Sequence, residues 1–478
     1  MQRGEIYTVL IEKFVFEGNG IGTIQTDDPV LQEAEGGRKI FVPFAYPGDL
    51  VKVEIQKVKK NYAEGITKEL LTASQSRVSP RCKYYTHCGG CKQQDLSYPL
   101  QTAFKQQQVA DIFYRMGGFT DFEFHDILPS GRVFFYRNKM EFSFSNMKWL
   151  PPEEFLLADK QKSGAALGLH VPGAYNKIIH MDECFLQSEE SNVILRKTAE
   201  FFFSRGTSIY NNKAHEGYLR NLVIKQASHT PDLMVNLVTF TRDEQLMNEY
   251  KEFILKEMPK ITTIVNNINE RKAMVATGDY EFTDYGSGYI YDKIGECTFR
   301  ISANSFFQTN TFQAEYLYEV ARKFAGFTGD EIVYDLYCGA GTITLYNAKS
   351  VKQIYGFEVT PSAIEDALVN KALNNIDNAE FFTADLYKTF LPALEEAGIP
   401  KPDIIIADPP RSGMHENTVK DILALSPKKI VYISCNPTTQ VRDIKGFVDN
   451  GYTLKEIQPV DMFPHTFHIE NVALLTRE

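Results

Sequence analysis

Three segments of different character predict a multi-domain α/β protein. Residues 1–70 alternate apolar and polar side chains in short runs that are separated by glycine and proline, which predicts a small β-barrel. Residues 71–299 mix strand-like runs with polar helices, as an α+β domain does. From residue 300 to residue 478, short apolar strands alternate with helical segments, which is typical of a doubly wound parallel sheet.

Length and composition limit the kinds of protein that this chain can be. A chain of 478 residues is too long for one core of ordinary size, and 43% hydrophobic and 23% charged residues predict a globular protein. The first ten residues lack the apolar core of a signal peptide and no run of eighteen apolar residues occurs, so we expect a cytoplasmic monomer without a membrane partner. A net charge of −10 means that any nucleic-acid surface must be local.

The N-terminal segment contains the barrel pattern. Residues 39–44 (KIFVPF) and 49–55 (DLVKVEI) are strand-like runs, and glycine or proline separates them from their neighbours. In residues 57–62 (KVKKNY) lysines are interleaved with an aromatic ring, which suits contact with phosphates and stacking on bases. A solvated strand end would have the same composition, so the pattern alone leaves both interpretations open.

Four of the seven cysteines have the spacing of a metal site. Cys82, Cys88 and Cys91 form a C-x5-C-x2-C pattern, and Cys184 follows some ninety residues later. Four thiolates from two segments could hold zinc or an iron–sulfur cluster, and the spacing alone slightly favours zinc. A helical stretch at about residues 100–116 follows the first three cysteines and could pack on the C-terminal domain.

The C-terminal segment contains a glycine turn followed by acidic residues. The strand at residues 331–334 leads into DLYCGAGT, where glycine lets the backbone approach a ligand closely. Thr344 replaces the third glycine of G-x-G-x-x-G, which favours a cofactor without a pyrophosphate. Glu358 ends the next strand, where a carboxylate can accept both hydroxyls of a ribose, and Asp385 follows the third apolar run. An ordinary strand-to-helix turn can have the same residues.

A second motif removes most of that ambiguity. Residues 402–411 (PDIIIADPPR) are a buried parallel strand that ends in Asp408 and two prolines. The prolines stop the ladder and hold the chain at the carboxyl edge of the sheet, where α/β proteins bind ligands. The four elements in this order resemble the S-adenosylmethionine-dependent methyltransferase fold, a Rossmann-like fold of class I.

Two cysteines of this domain are candidate nucleophiles. Cys338 lies in the glycine turn and is best explained as a small packing residue. Cys435 follows the strand at residues 429–433, and the turn that Pro437 ends would expose its sulfur. Position alone leaves a reactive thiol and a buried, inert cysteine as equal alternatives for Cys435.

Strings along nearly the whole chain are similar to the RNA (uracil-5-)-methyltransferase family. They are DPPR at 408–411, SCNP at 434–437, HIENV at 468–472 and FQTN at 307–310. The resemblance implies that Cys435 adds to carbon 6 of a uridine, because carbon 5 is otherwise too poor a nucleophile for a methyl sulfonium. It implies that Glu470 then removes the proton of carbon 5. It also implies that five side chains contact S-adenosylmethionine: Gln308, Tyr337, Glu358, Asp385 and Asp408.

RNA cytosine-5 methyltransferases are the nearest alternative by chemistry. They carry a Pro-Cys pair after the Asp-Pro-rich strand, whereas Pro409 is followed here by Pro410 and Arg411, so we favour uridine. The family pattern gives neither His465 nor His468 the role of base, and we expect both to be structural.

The remaining features of the resemblance concern the RNA. Residues 1–68 resemble the TRAM domain, an OB-like barrel that binds RNA, and the strings at 136–139 (YRNK) and 220–221 (RN) could add basic groups to an RNA cleft. Family members that act on large-subunit ribosomal RNA use the same cysteine pattern for a [4Fe-4S] cluster. The resemblance therefore implies methylation of carbon 5 of a flipped-out uridine in 23S rRNA. A tRNA uracil-5-methyltransferase and a non-catalytic RNA-binding ribosome-assembly factor are the alternatives.

Overall fold

The computed structural model describes residues 1–15, 18–25, 37–151, 164–272 and 275–477. The first five strands form a closed barrel. They are β1 (Ile6–Val15), β2 (Asn19–Ile24), β3 (Lys39–Pro43), β4 (Leu50–Val58) and β5 (Tyr62–Thr72). The strand order is β1-β2-β3-β5-β4, and alternate residues point inward, as the period of two requires. Val51, Val53 and Ile55 of β4 are fully buried in its core.

Arg77 joins the barrel to the cysteine-bearing segment. Its guanidinium donates to both carboxylate oxygens of the buried Asp49, at 2.9 and 2.8 Å, and to the carbonyl of Phe44 at 2.8 Å. It also pairs with Asp95, and it lies 4.8 Å from the centre of the Tyr46 ring. Because these charges are paired and hydrogen-bonded, their burial is tolerated and fixes the barrel against the chain that follows it.

The segment after the cysteines packs on the C-terminal sheet. Helix α1 (Tyr98–Asp111) begins with a proline in its first turn and continues into a π-helical turn, Ile112–Gly117. Val109 and Phe113 lie in the same buried core as side chains of the C-terminal sheet. The short strand β6 (Glu123–Phe124) then pairs with the edge of that sheet.

The central part is built on an eight-stranded sheet. Its strands are β7 (Lys139–Ser145), β8 (Lys148–Trp149), β9 (Ala166–Val171), β10 (Ala174–His180), β11 (Leu219–Gln226), β12 (Leu233–Thr239), β13 (Thr263–Ile268) and β14 (Tyr280–Tyr285). The order is β14-β13-β12-β11-β7-β9-β10-β8. Helices α2 (Glu189–Ser204) and α3 (Glu244–Glu257) pack on it through a shared aromatic core that includes Phe202 and Tyr250.

A hairpin lies between the two large sheets. It consists of β15 (Tyr289–Ile294) and β16 (Cys297–Ser302). The buried residues Cys297 and Phe299 pack in the core of the C-terminal domain, as expected for a packing role of Cys297. The domain boundary predicted between residues 299 and 300 thus falls inside β16 of this hairpin.

The C-terminal sheet is doubly wound. Its strands are β17 (Ile332–Leu336), β18 (Gln353–Glu358), β19 (Ala379–Thr383), β20 (Ile404–Ala407), β21 (Lys429–Ser434), β22 (Thr453–Val460) and β23 (Glu470–Thr476). Its helices are α4 (Thr311–Ala325), α5 (Thr342–Ala348), α6 (Pro361–Leu373), α7 (Leu391–Glu396), α8 (Glu416–Leu425) and α9 (Pro437–Val448). The order is β19-β18-β17-β20-β21-β23-β22-β6, with β17 to β21 parallel and β23 antiparallel to its neighbours.

The strand order determines where a ligand can bind. β17 lies between β18 and β20, so the chain reverses its direction of winding there. In open α/β sheets, ligands bind at such a switch point, outside the carboxyl ends of the strands. Among the described residues, none of the helices combines the length and apolar character that crossing a bilayer needs.

Candidate active site

A cavity of about 1110 Å³ lies at the carboxyl edge of the parallel strands. Side chains of both large sheets line it, including Arg137 and Glu281 of the central part. Six of the seven predicted cofactor and catalytic residues line this cavity: Gln308, Tyr337, Glu358, Asp408, Cys435 and Glu470. The strand order thus brings together residues that are up to 162 positions apart (470 minus 308) in the sequence.

The glycine turn after β17 forms one wall of the cavity. Tyr337, Gly339 and Gly341 have φ angles of 67°, 53° and 79°, in the left-handed region that glycine adopts at no steric cost. A side chain at Gly341 would also approach the Phe381 ring to 2.8 Å. The turn orients a backbone N–H, because Gly339 donates to the carboxylate of Glu358 at 3.2 Å.

Glu358 and Cys338 have different positions at this turn. The second carboxylate oxygen of Glu358 accepts from the Thr360 N–H at 2.9 Å, so the acid is held at the end of β18 and faces the cavity. Cys338 is buried behind the turn, where its sulfur is 2.9 Å from the position of a β-carbon on Gly356. Packing therefore explains Cys338.

Two residues of the central sheet fix the wall that carries Gln308. The Asn138 amide donates to the carbonyl of Gln308 at 2.7 Å and to the hydroxyl of Thr311 at 2.8 Å. The buried ammonium of Lys225 donates to the carbonyls of Ser302 and Ser305, at 2.7 and 2.8 Å. Burial lowers the pKa of Lys225 to about 7. The central part thus fixes the wall that carries Gln308 as well as lining the cavity.

The expectation that the strings at 136–139 and 220–221 could add basic groups to a cleft is wrong for Arg220. Arg220 is buried and donates to the carbonyls of Asn269 and Arg271, at 2.9 and 2.7 Å. Tyr136 is also buried, and its hydroxyl donates to the Pro464 carbonyl at 3.0 Å. Of the basic residues in these strings, Arg137 lines the cavity.

Cys435 and Glu470 lie at the adjacent ends of two paired strands. β21 and β23 are antiparallel and their ladder ends with Ser434 opposite Asn471, so Cys435, directly after β21, and Glu470, the first residue of β23, come together at the cavity. The Asn436 side chain caps α9 by accepting from Thr438 N–H at 3.1 Å, and it also donates to the Arg411 carbonyl at 3.2 Å. Cys435 is therefore held in a turn that is bonded to the Asp-Pro-Pro-Arg loop.

Burial raises the pKa of the acidic groups around Cys435. Burial, and then Asp408, raise the pKa of the fully enclosed Glu470 well above its ordinary value. Burial raises the pKa of Asp408 to about 7. Burial, Glu470 and Asp408 together raise the pKa of Cys435 to about 12, and Arg411 opposes them. Negative charge is disfavoured in this corner, so a bound cation would favour the thiolate and the carboxylates.

Asp385 is the predicted cofactor residue that does not line the cavity, although its neighbours Ala384 and Leu386 do. Its carboxylate accepts from the N–H of Tyr387 at 3.1 Å and pairs with Lys388 at 3.0 Å. The hydrogen bond from Lys388 lowers the pKa of this exposed group. Contact between Asp385 and a cofactor stays a prediction.

The cavity has further residues that the sequence motifs did not single out. Phe306 and Tyr387 stand at its wall with 65% and 52% of their surface exposed, so both rings are available to a flat ligand. Phe306 directly precedes the FQTN string, which could have indicated it. Tyr387 lies in no motif of the sequence.

The four cysteines Cys82, Cys88, Cys91 and Cys184 line a small cavity of about 20 Å³. The Gly90 N–H and the Gln94 amide donate to the sulfurs of Cys88 and Cys91, both at 3.3 Å. Burial raises the pKa of Cys88 to about 12 and that of Cys184 to about 11, and neighbouring thiols raise both further. Such crowded, hydrogen-bonded sulfurs are suited to a cationic group.

The spacing of these sulfurs distinguishes a single ion from a cluster. Four sulfurs around one zinc lie roughly 3.8 Å apart, since each Zn–S bond is about 2.3 Å. Within the described part of the chain, no three of the cysteine sulfurs lie within 4.8 Å of one another. The donor set fits a group larger than one ion.

The comparisons with known proteins identify the family. The family model described as tRNA (Uracil-5-)-methyltransferase matches residues 283–478, and the TRAM domain model matches residues 1–68. An uncharacterized RNA methyltransferase of Chlorobaculum tepidum is 46% identical over 435 residues, 90% of each chain. The chain belongs to the RNA (uracil-5-)-methyltransferase family. A second RNA methyltransferase, also uncharacterized, from Oceanobacillus iheyensis is 36% identical over 477 residues, 100% of this chain and 97% of its own.

A solved structure supports the fold of this RNA (uracil-5-)-methyltransferase. The tRNA (uracil-54, C5)-methyltransferase of Pyrococcus abyssi, in complex with S-adenosyl-L-homocysteine, superposes with a TM-score of 0.74 at 29% identity. The match covers 98% of this chain and 99% of the other. The predicted fold class, a class I methyltransferase domain with an N-terminal TRAM barrel in a multi-domain α/β chain, is confirmed.

The raised pKa of Cys435 predicts slow alkylation of this thiol. Replacing Glu470 by Gln removes the carboxyl that most raises the pKa after burial, so the thiolate fraction at pH 8 should rise by about tenfold for each pKa unit lost. Mass spectrometry of the Cys435 peptide after timed iodoacetamide treatment measures the rate. Glu380→Gln, an exposed acid on β19, is the matched control and should leave the rate unchanged. An unchanged rate in Glu470→Gln would contradict the described electrostatics.

Proposed function

We propose that this protein transfers a methyl group from S-adenosylmethionine to carbon 5 of a specific uridine in 23S rRNA, through a covalent bond between Cys435 and carbon 6. The observation that carries the proposal is that Cys435, directly after β21, and Glu470, at the start of β23, line one cavity whose other walls carry predicted cofactor residues. A nucleophile and a base that act on one uracil ring must face the same cavity, because they act on adjacent carbon atoms.

S-adenosylmethionine would supply an electrophilic methyl group on a sulfonium. Glu358, at the end of β18, is suited to accept the ribose hydroxyls, and the N–H groups of the glycine turn lie beside it. Gln308, Tyr337 and Asp408 line the same cavity. Asp385 would contact the adenine end. A cavity of about 1110 Å³ has room for a cofactor and a flipped-out base together.

The chemical steps use the two catalytic side chains in turn. The Cys435 thiolate would bond to carbon 6, and the electron pair of the ring double bond would move to carbon 5 and form the bond to the methyl group, whose bond to the sulfonium breaks with its pair left on the cofactor sulfur. The carboxylate of Glu470 would then take the carbon 5 proton. The pair of that C–H bond would restore the ring double bond, and the bond between the Cys435 sulfur and carbon 6 would break with its pair on the sulfur, which returns the thiolate. The raised pKa of Glu470 suits this step, because it makes the carboxylate a better proton acceptor.

The RNA surface of the proposal is local, as the net charge requires. Lys59 and Lys60 are exposed at the turn that joins β4 and β5 of the TRAM barrel. Arg137, Phe306 and Tyr387 line the cavity, where a cation and two rings can contact a phosphate and stack on bases. We propose that a monomer binds the RNA in the cytoplasm.

Ribosomal RNA is preferred over tRNA because of the four cysteines, which resemble those of family members that act on the large subunit. The solved structure that superposes on the whole chain is a tRNA methyltransferase, and this favours tRNA as the second candidate. A binding factor without activity is the least favoured, because Cys435 and Glu470 are both retained.

We propose that the four cysteines Cys82, Cys88, Cys91 and Cys184 hold a [4Fe-4S] cluster, with zinc as the alternative. Two N–H···S hydrogen bonds and the sulfur spacing support the larger group. We assign the cluster a structural role and no redox step.

The cluster proposal predicts about four iron and four sulfide per chain in protein purified without oxygen, together with visible absorption from thiolate-to-iron charge transfer. Chemical iron and sulfide analysis measures both. Protein that contains zinc and no iron would refute the assignment.

The mechanism predicts different defects for its two catalytic residues. Cys435→Ala should form neither product nor covalent complex, because no thiolate is left to add to carbon 6. Glu470→Gln should still transfer the methyl group once, but release of product should fall about 10²–10⁴-fold because the proton acceptor is lost. Denaturing gels with labelled RNA measure the covalent complex, and labelled cofactor measures the methyl transfer.

Matched controls separate these effects from damage to the fold. Cys297→Ala changes a buried cysteine outside the cavity, and Glu456→Gln changes an acid on β22 that bonds to His125. Both should react normally. Normal turnover of Glu470→Gln would remove this base from the mechanism.

The substrate proposal predicts that 23S rRNA from cells without this gene lacks at least one 5-methyluridine, and that the purified protein restores it. Mass mapping of the RNA before and after incubation identifies the nucleotide, and 5-fluorouridine in its place should trap the protein. Unchanged 5-methyluridine in the rRNA, with loss in tRNA, would establish the second candidate instead.

A further inference from the structure

A short connection carries the base of the active site. Residues 461–469, here called the strap, join β22 to β23 and end directly before Glu470. Two strap residues, Phe463 and His468, line the cavity beside Cys435. The position of the Glu470 carboxylate therefore depends on what holds the strap.

The cysteine-bearing segment binds the strap at His465. The backbone N–H groups of Lys92 and Gln93, the two residues after Cys91, both donate to the His465 carbonyl, at 2.8 and 3.1 Å. The strap is thus hydrogen-bonded to the chain immediately beside one of the four clustered cysteines. A shift of that cysteine changes the geometry of these bonds.

Gln101 of α1 completes the connection with one buried amide. Its oxygen accepts from the His465 N–H at 2.8 Å, and its nitrogen lies 3.1 Å from the His465 ring nitrogen Nδ1. The same nitrogen donates to the carbonyls of Gln93 and Leu96, at 2.9 and 2.8 Å. A single side chain therefore links the strap, the cysteine-bearing segment and α1.

The start of the strap is held by a buried ion pair. Lys105, one helical turn after Gln101, lies 2.6 Å from the Asp461 carboxylate, and both side chains are fully buried. Lys105 also donates to the Phe463 carbonyl at 3.1 Å, and the Tyr98 hydroxyl donates to Asp461 at 2.9 Å. One face of α1 thus anchors the strap at two points.

His465 has a backbone conformation that needs this support. Its φ angle of 65° is in the left-handed region, which is sterically unfavourable for a residue with a β-carbon. Its ring stacks on Phe134 with centroids 4.3 Å apart, and burial lowers its pKa to about 4, so the ring is neutral. Strained backbone of this kind persists only where its surroundings fix it.

We propose that Gln101 is a positioning residue that couples the cysteine site to Glu470. Loosening the Gln101 contacts or the cysteine site should therefore slow removal of the carbon 5 proton more than formation of the covalent bond. The inference rests on the proposed function, in which Glu470 is the base. Cys435 directly follows β21, in a turn bonded to the Arg411 carbonyl, and is not part of the strap, so loosening the strap leaves the nucleophile in place.

The kinetic test uses Gln101→Leu, with Gln107→Leu on the exposed side of the same helix as the matched control. Because a displacement of about 1 Å costs about 10²-fold, Gln101→Leu should release product about 10²-fold more slowly and accumulate the covalent complex. The rate of covalent-bond formation and the KM for S-adenosylmethionine should stay near those of Gln107→Leu. A variant in which bond formation and product release fall by the same factor would overturn the proposal.

If Gln101→Leu does not fold, a second pair of variants tests the same contact between Gln101 and His465. Asparagine tolerates the left-handed backbone and offers an amide to Gln101, so His465→Asn should retain product release. His465→Ala should accumulate the covalent complex, because it keeps the backbone strain and loses the ring. Equal behaviour of the two variants would contradict a positioning role for this contact.

Hydrogen exchange gives a readout that does not depend on the reaction. Peptides covering residues 461–470 should exchange faster in Gln101→Leu than in Gln107→Leu, and faster in the unsubstituted protein after a chelator has removed its metal. Unchanged exchange after metal removal would refute the coupling to the cysteine site. If Glu470→Gln itself fails to accumulate the covalent complex, the proposed base is wrong, and the exchange data still decide whether the strap is coupled to the cysteines.

Discussion

The register between β21 and β23 sets the geometry on which the active site depends. The ladder ends where Ser434 pairs with Asn471, and Cys435 and Glu470 are the next residues on the two chains. Because side chains alternate between the faces of a sheet, a slip of one residue would turn Glu470 away from the cavity. The core opposes such a slip, since Val472 and Leu474 of β23 are buried on one face and Ala473 and Leu475 on the other. The packing of a strand that is buried on both sides thus determines the position of Glu470.

The same burial disfavours negative charge on the groups around Cys435. Asp408, Cys435 and Glu470 lie in one poorly solvated space, and burial raises all three pKa values; Asp408 further raises that of Glu470, and both carboxyls raise that of Cys435. A site of this kind disfavours a thiolate until positive charge arrives. A sulfonium cofactor carries such a charge, so its binding would favour ionisation of the nucleophile in the proposed reaction. Arg411 contributes in the same direction.

The sequence predicted most of the residues that line the cavity, but it did not predict the residues whose hydrogen bonds fix their positions. Cys435, Asp408 and Glu358 each follow a strand, and parallel strands end at one edge, so their proximity could be predicted from strand order alone. Glu470 could be found only through a resemblance, because an acid near the end of a chain has no local signal. Asp385 also follows a strand, yet its side chain bonds to its own loop and does not line the cavity.

The supporting residues lack a signal because their roles arise only in the folded chain. Gln101 and Lys105 are polar residues on a helix, which usually indicates a solvated face, but both are fully buried. Arg220 is another residue whose burial the sequence does not reveal. Its family string suggests a basic group in an RNA cleft, but in the structure its guanidinium donates to the carbonyls of Asn269 and Arg271. Whether a charge is exposed depends on which segments pack over it, and composition does not contain that information.

These supports extend the active site beyond the methyltransferase domain. The wall with Gln308 is fixed by Asn138 and Lys225 of the central sheet, and the strap before Glu470 is fixed by Gln101 of α1. The wall with Gln308 and the chain that leads to Glu470 are therefore both held by parts of the chain that precede residue 300. Because buried polar groups hold these positions only when fully hydrogen-bonded, the central part and the cysteine-bearing segment are as necessary to the geometry as the sheet that carries the reacting groups.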